Sequence, residues 1–139
     1  MIIVSGIPFS GTSIMLDKLK KGGLEIIPDL KASNAISGDN TKAAFIPSLE
    51  LKALKGDHHI IFMNRPLKEC FFCMKKQLGH EPHKSAFEIH LKDIRKYLKL
   101  KIFYLIDFNK LTTSPEKEME KIKHLIPYFK KATKTSFFR

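Results

Sequence analysis

GIPFSGTS, at residues 6–13, is the stretch that decides the fold of this chain. It follows MIIVS at residues 1–5, an apolar run typical of a buried strand, and IMLDKL at residues 14–19 then begins a helical pattern. Gly6 and Gly11 allow the backbone of the turn to approach a ligand closely. Because the free N–H groups of a helix N-terminus attract anions, this order of strand, turn and helix predicts a phosphate cradle.

The spacing of the two glycines resembles that of the Walker A loop, with one departure. Thr12 stands where that motif carries the lysine that reaches the terminal phosphates of a nucleotide. The missing cation argues against an ordinary ATPase or GTPase.

Residues 8–13, PFSGTS, resemble instead the loop of the sulfotransferases, a P-loop family whose motif runs Pro-Lys/Arg-Ser-Gly-Thr-Ser/Thr. Residues 60–69, IIFMNRPLKE, are similar to the strand, arginine, proline and helix with which that family holds a 3′-phosphate. Weaker similarity lies at four short segments, residues 22–24, 44–47, 107–111 and 114–116, so the resemblance touches most of the chain, although only the first two motifs are specific.

The resemblance implies an α/β protein with a three-layer P-loop NTPase-like fold, in which helices flank a small parallel sheet of about four strands. It implies binding of 3′-phosphoadenosine 5′-phosphosulfate as co-substrate, or of the bisphosphate product, and sulfuryl transfer to an unknown acceptor. No metal is expected, and no catalytic residue is assigned. The implied nucleotide-binding residues are Gly6, Pro8, Phe9, Ser10, Gly11, Thr12, Ser13, Arg65 and Cys73.

Two of these positions depart from the family pattern. Phe9 replaces a Lys or Arg that contacts the transferred group, and Cys73 replaces a Ser that helps to hold the 3′-phosphate. Three interpretations therefore stay open: a small sulfotransferase, a catalytically degenerate nucleotide-binding protein, and a basic interaction protein that binds nucleic acid or an acidic partner. The less specific interpretation of Arg65 is an ion pair with a carboxylate such as Asp107.

The periodicity of the chain predicts alternating strands and helices in one domain, residues 1–139, with a basic tail at 130–139 that frays. Residues 30–40 are small and polar, which indicates a loop over the site, although a plain connection is the commoner case. Buried strands are predicted at residues 2–5, 24–27, 59–64 and 101–107. Helices are predicted at residues 12–21, from 66, around 87–98 and from 115.

The amino-acid composition of the chain limits the kinds of partner that we expect it to bind. A net charge of +11 and a pI near 9.7 describe a surface that attracts anions. The lysines are scattered and no nucleic-acid motif accompanies them, so nucleic-acid binding is not favoured. The absence of a long apolar run and of a leader pattern, together with two cysteines, predicts a cytoplasmic protein that does not enter membranes.

Four residues with zinc-ligand chemistry lie close together in the sequence. Cys70 and Cys73 precede His80 and His83, but the interval is shorter than in zinc fingers. Because Cys70 also falls on the apolar stripe of a helix, buried thiols and surface histidines are the favoured interpretation.

Overall fold

Five short strands form one parallel sheet in the computed structural model, which describes residues 1–133. The strands are β1 (Ile2–Ser5), β2 (Glu25–Ile26), β3 (Lys42–Phe45), β4 (His59–Asn64) and β5 (Ile102–Asp107), in the spatial order β2-β3-β1-β4-β5. In this part of the chain, six α-helices connect or follow them: α1 (Thr12–Lys21), α2 (Leu67–Leu78), α3 (Lys84–Leu98), α4 (Phe108–Thr113), α5 (Pro115–Met119) and α6 (Phe129–Ala132). The same described residues include three 3₁₀ helices, at Ala32–Asn34, Ser48–Ala53 and Glu120–Leu125.

The prediction of an α/β sheet flanked by helices is confirmed, but the number of strands was one too low. The missed strand, β3, has the sequence KAAF, and neither Lys nor Ala favours strands. Ala43 and Ala44 are buried nevertheless, because β3 lies between β1 and β2 and its two faces pack in the cores on opposite sides of the sheet. The position of β3 inside the sheet therefore outweighs the low strand propensity of its residues.

Alternating side chains of the central strand supply two cores, one on each face of the sheet. Ile2 and Val4 pack in the core that receives Met15 and Leu19 of α1. Ile3 packs in the opposite core with residues of α3 and of the 3₁₀ helix Ser48–Ala53. Helices therefore cover both faces, which gives three layers.

Three other expectations need correction. The loop at residues 30–40 does not cover the turn, since Ser37 hydrogen bonds to the backbone of Asp57, just before β4 begins. Strand β5 is an edge strand whose Leu105 is 46% exposed, and so it is not fully buried. Residues 130–132 belong to α6, where Ala132 is buried, while residues 134–139 lie outside the described residues.

The turn at residues 6–13 lies where ligands commonly bind in sheets of this kind. It follows β1, and Arg65 follows the neighbouring strand β4. Helix α1 packs on one face, whereas the connection from β4 ends in α3 on the other face. Such a reversal opens a crevice beyond the carboxyl ends of the strands. Within residues 1–133, no helix is both long and apolar enough to span a bilayer.

Candidate functional site

The turn at residues 6–13 presents the start of helix α1 to the crevice. Gly11, with φ of 99°, is the N-cap residue, and no side chain caps the helix. The first intrahelical hydrogen bond runs from the N–H of Met15 to the carbonyl of Gly11 at 3.1 Å. The amides of Thr12, Ser13 and Ile14 precede that bond, so they are free to meet an anion or solvent.

Ser10 braces the turn from inside. Its hydroxyl donates to the carbonyl of Ile7 at 2.6 Å, and its amide donates to the same carbonyl at 3.2 Å. A Cβ on Gly6 would come within 2.3 Å of the Ser10 hydroxyl, which explains the need for glycine there. Since both donors of Ser10 point inward, this residue holds the shape of the turn, and the amides left for a ligand belong to the start of α1.

Arg65 meets the turn directly. Its Nη1 donates to the carbonyl of Phe9 at 2.8 Å, and the same atom lies 3.8 Å from the sulfur of Cys73. Phe9 adopts the left-handed region, with φ of 65°, which is uncommon for a residue with a bulky side chain. Thus two elements 56 residues apart in the sequence are in contact at this site.

Two nitrogens of the Arg65 guanidinium make no hydrogen bond within residues 1–133. Its Nε is buried and has no hydrogen-bond partner among the described residues, with the nearest Glu69 carboxylate oxygen at 3.6 Å. None of its hydrogen bonds within residues 1–133 uses Nη2. A buried N–H without a partner is rare in folded proteins, and a bound ligand is one way to satisfy it.

The ring of Phe108 packs over Arg65 and next to the turn. The sequence analysis did not predict a role for this residue. The Cζ of Arg65 lies 4.2 Å from the centroid of the Phe108 ring, a cation–π distance. A Cβ on Gly11 would come within 2.4 Å of the same ring. The sequence feature that could have indicated Phe108 was the weak sulfotransferase similarity of residues 107–111, but that similarity assigned no role to the phenylalanine.

Arg65 forms an ion pair with a carboxylate, as the less specific interpretation of this residue predicted, but its partner is Glu69 at 3.6 Å and not Asp107. The carboxylate of Asp107 caps α4 by accepting from the amide of Lys110 at 2.9 Å. Glu69, one helical turn after Arg65, also accepts from the side chain of Asn109 at 3.3 Å.

The two cysteines of α2 lie under the Arg65 contact. Cys70 is buried with its sulfur 3.7 Å from the Phe9 carbonyl oxygen, and burial raises the pKa of its thiol to about 11. Cys73 is partly exposed, while His80 and His83 are exposed. Within residues 1–133, no three His, Cys, Asp or Glu side chains form a metal-ligand group.

Two cavities adjoin the site, one at Arg65 and one at the turn. The first, which we call the charged cavity, has a volume of about 590 Å³ and is lined by four cations and two carboxylates together with Phe71, Phe72 and Pro82. The cations are Arg65, Lys68, Lys75 and Lys84, and the carboxylates are Glu69 and Glu81. The second, which we call the apolar cavity, has a volume of about 520 Å³ and borders the turn at Gly6, Ile7, Pro8 and Thr12.

The apolar cavity contains a polar pair that sequence reasoning missed. A ring nitrogen of His90, Nε2, lies 2.8 Å from the hydroxyl oxygen of Ser48. Burial lowers the pKa of His90, partly opposed by the charge of Asp93, so the imidazole is held toward its neutral form. Helical spacing is the sequence feature that could have indicated this position, because His90 lies three residues after Phe87 of the apolar stripe.

No family model, curated protein or solved structure matches this chain. The likeness of residues 6–13 and 60–69 to sulfotransferases therefore stays a resemblance.

Proposed function

We propose that the turn at residues 6–13 and Arg65 together bind a 3′-phosphorylated adenosine nucleotide, either 3′-phosphoadenosine 5′-phosphosulfate or adenosine 3′,5′-bisphosphate. The observation that carries this proposal is the 2.8 Å contact between the Arg65 guanidinium and the carbonyl of Phe9. It joins a helix N-terminus and a strand-end arginine into one anion-attracting surface. Each of the two groups suits one phosphate of such a nucleotide.

Electrostatics supports the same ligand class. The uncapped start of α1 carries the positive end of the helix dipole, and Arg65 keeps Nε and Nη2 free of hydrogen bonds to residues 1–133. Lys68 lines the charged cavity together with Arg65. A net charge of +11 raises the local concentration of anionic ligands.

Among the three interpretations, we favour a nucleotide-binding protein with little or no transfer activity. Phe9 stands where the resemblance requires a cation on the transferred group. Removal of one such electrostatic contact typically costs about a hundredfold to a thousandfold in rate. Binding does not need this cation to the same extent, because the amides of α1 and the guanidinium supply other contacts.

Calorimetry with adenosine 3′,5′-bisphosphate, ATP and a short single-stranded oligonucleotide tests the proposal. We expect the bisphosphate to bind most tightly and to raise the melting temperature, since a ligand selective for the folded state stabilises it. Arg65→Ala should weaken bisphosphate binding by about 10- to 150-fold, the value of a lost charge-assisted hydrogen bond. Lys20→Ala, at an exposed cation in the last turn of α1, is the control for the loss of one positive charge and should leave binding unchanged.

Two results would contradict this assignment. One is the absence of any bisphosphate binding at millimolar concentration. The other is tight oligonucleotide binding that Arg65→Ala and Lys20→Ala weaken equally, which would identify a general basic surface. Incubation with the sulfate donor and measurement of released bisphosphate separates slow transfer from binding alone.

A further inference from the structure

The apolar cavity lacks an assigned occupant. Its walls include Ile7, Phe45, Leu49 and Phe87, and none of the described residues that line it is Lys, Arg, Asp or Glu. Leu49 is 81% exposed and Phe45 is 37% exposed, so these walls leave apolar surface in water. Contiguous apolar surface of this kind typically marks a binding site, and a volume of about 520 Å³ suits a small molecule.

The pair formed by Ser48 and His90 is the main polar feature of this cavity. Both residues line it, and their side chains are 2.8 Å apart. Asp93, one turn after His90, is engaged by Lys52 in an ion pair and is not among the lining residues. The pair therefore presents hydrogen-bonding capacity to the cavity without a full charge.

The Ser48 hydroxyl has room for a further hydrogen bond. A hydroxyl offers one donor and two acceptor positions, and the bond to His90 uses one of the three. If Ser48 donates to His90, its oxygen still accepts from a ligand. If His90 donates instead, the proton of Ser48 is available to a ligand. In both tautomers a ligand hydroxyl finds a partner.

We propose that the apolar cavity binds a small uncharged molecule with an apolar body and one hydroxyl group, and that this hydroxyl hydrogen bonds to the Ser48–His90 pair. A carboxylate or an ammonium group would enter a cavity without a counterion, and burial of an unpaired charge is costly. The proposal does not depend on nucleotide binding by the turn.

An isosteric pair of probes tests the proposal: 2-naphthylmethanol and 2-ethylnaphthalene, in which a methyl group replaces the hydroxyl. The chain has no Trp, so naphthalene fluorescence is easily observed. We expect the alcohol to bind with a dissociation constant below about 1 mM, and about 3- to 10-fold more tightly than the hydrocarbon. His90→Phe or Ser48→Ala should remove that preference while the hydrocarbon still binds.

Surface variants of α3 locate the site without disturbing the core. Ala86 is exposed and lines the cavity, whereas its neighbour Ser85 is exposed and does not. Ala86→Phe should abolish binding of both probes, and Ser85→Phe should have no effect. The proposal fails if neither probe binds, if both substitutions act equally, or if the folded wild-type protein binds the hydrocarbon as tightly as the alcohol.

Discussion

The two sides of the turn at residues 6–13 differ in charge. On one side, Arg65 lies between the Phe9 carbonyl, the Glu69 carboxylate and the Phe108 ring, and it also lines the charged cavity. On the other side, the apolar cavity is bordered by side chains such as Ile7 and Phe87, and its polar side chains include the Ser48–His90 pair. Charged side chains therefore line one cavity, and none of the described residues that line the other is Lys, Arg, Asp or Glu.

This difference indicates two kinds of ligand recognition around one backbone segment. The charged side is organised before any ligand arrives, because Arg65 is already hydrogen bonded to the turn. An incoming phosphate must share the guanidinium with Phe9 and compete with Glu69. The apolar side needs no such exchange, since an occupant there gains mainly by removing apolar surface from water.

The largest expected effect tests the tight packing on the charged side. Gly11→Ala should lower the free energy of unfolding by about 3 kcal/mol, because it adds a Cβ at a positive φ and against the Phe108 ring. Urea denaturation measures this loss.

Gly38→Ala is the matched control for that substitution. Gly38 also has a positive φ, of 87°, but no atom lies within 4 Å of an added Cβ. We expect a loss of about 1–2 kcal/mol, the backbone cost alone. If the free energy of unfolding falls equally in the two variants, Phe108 does not pack closely against the turn.

The sequence predicted those parts of the molecule that local patterns determine. Helix α1 was predicted at residues 12–21 and is Thr12–Lys21, and strands β1 and β4 have the predicted bounds. Apolar runs next to glycine or proline mark these elements in the sequence. The helix predicted from residue 115 is shorter, because α5 gives way at Glu120 to a 3₁₀ helix.

The contacts at the site depend on tertiary structure, and residue patterns predicted them less well. Ser48 and His90 are 42 residues apart, and their contact requires α3 to pack beside the 3₁₀ helix Ser48–Ala53. Phe108 covers Arg65 only because β5 lies next to β4. Because Arg65 and the turn follow neighbouring parallel strands, the sequence predicted that they would lie close together. It did not predict that the carbonyl of Phe9 would be the hydrogen-bond partner of Arg65.

A smaller effect tests the competition on the charged side. Glu69→Gln should strengthen binding of adenosine 3′,5′-bisphosphate by about two- to fivefold, since it removes a negative charge beside Arg65 at a partly exposed site. Calorimetry at low salt measures the change. Glu88→Gln, at an exposed carboxylate paired with Lys84, is the control and should change affinity less. If the two variants match, Glu69 does not oppose the ligand.

The smallest effect concerns pH on the apolar side, where burial lowers the pKa of His90 from 6.5. The unfolded chain then binds more protons than the folded chain as the pH falls through about 6.5. His90 therefore contributes stability above that pH and loses it progressively in acid. His90→Phe removes this contribution, so its free energy of unfolding should fall less between about pH 7.5 and pH 5 than that of the wild type. Identical slopes for the two proteins would show that His90 is protonated as easily in the folded chain as in the unfolded chain, and the apolar side would then be more hydrated than its lining residues indicate.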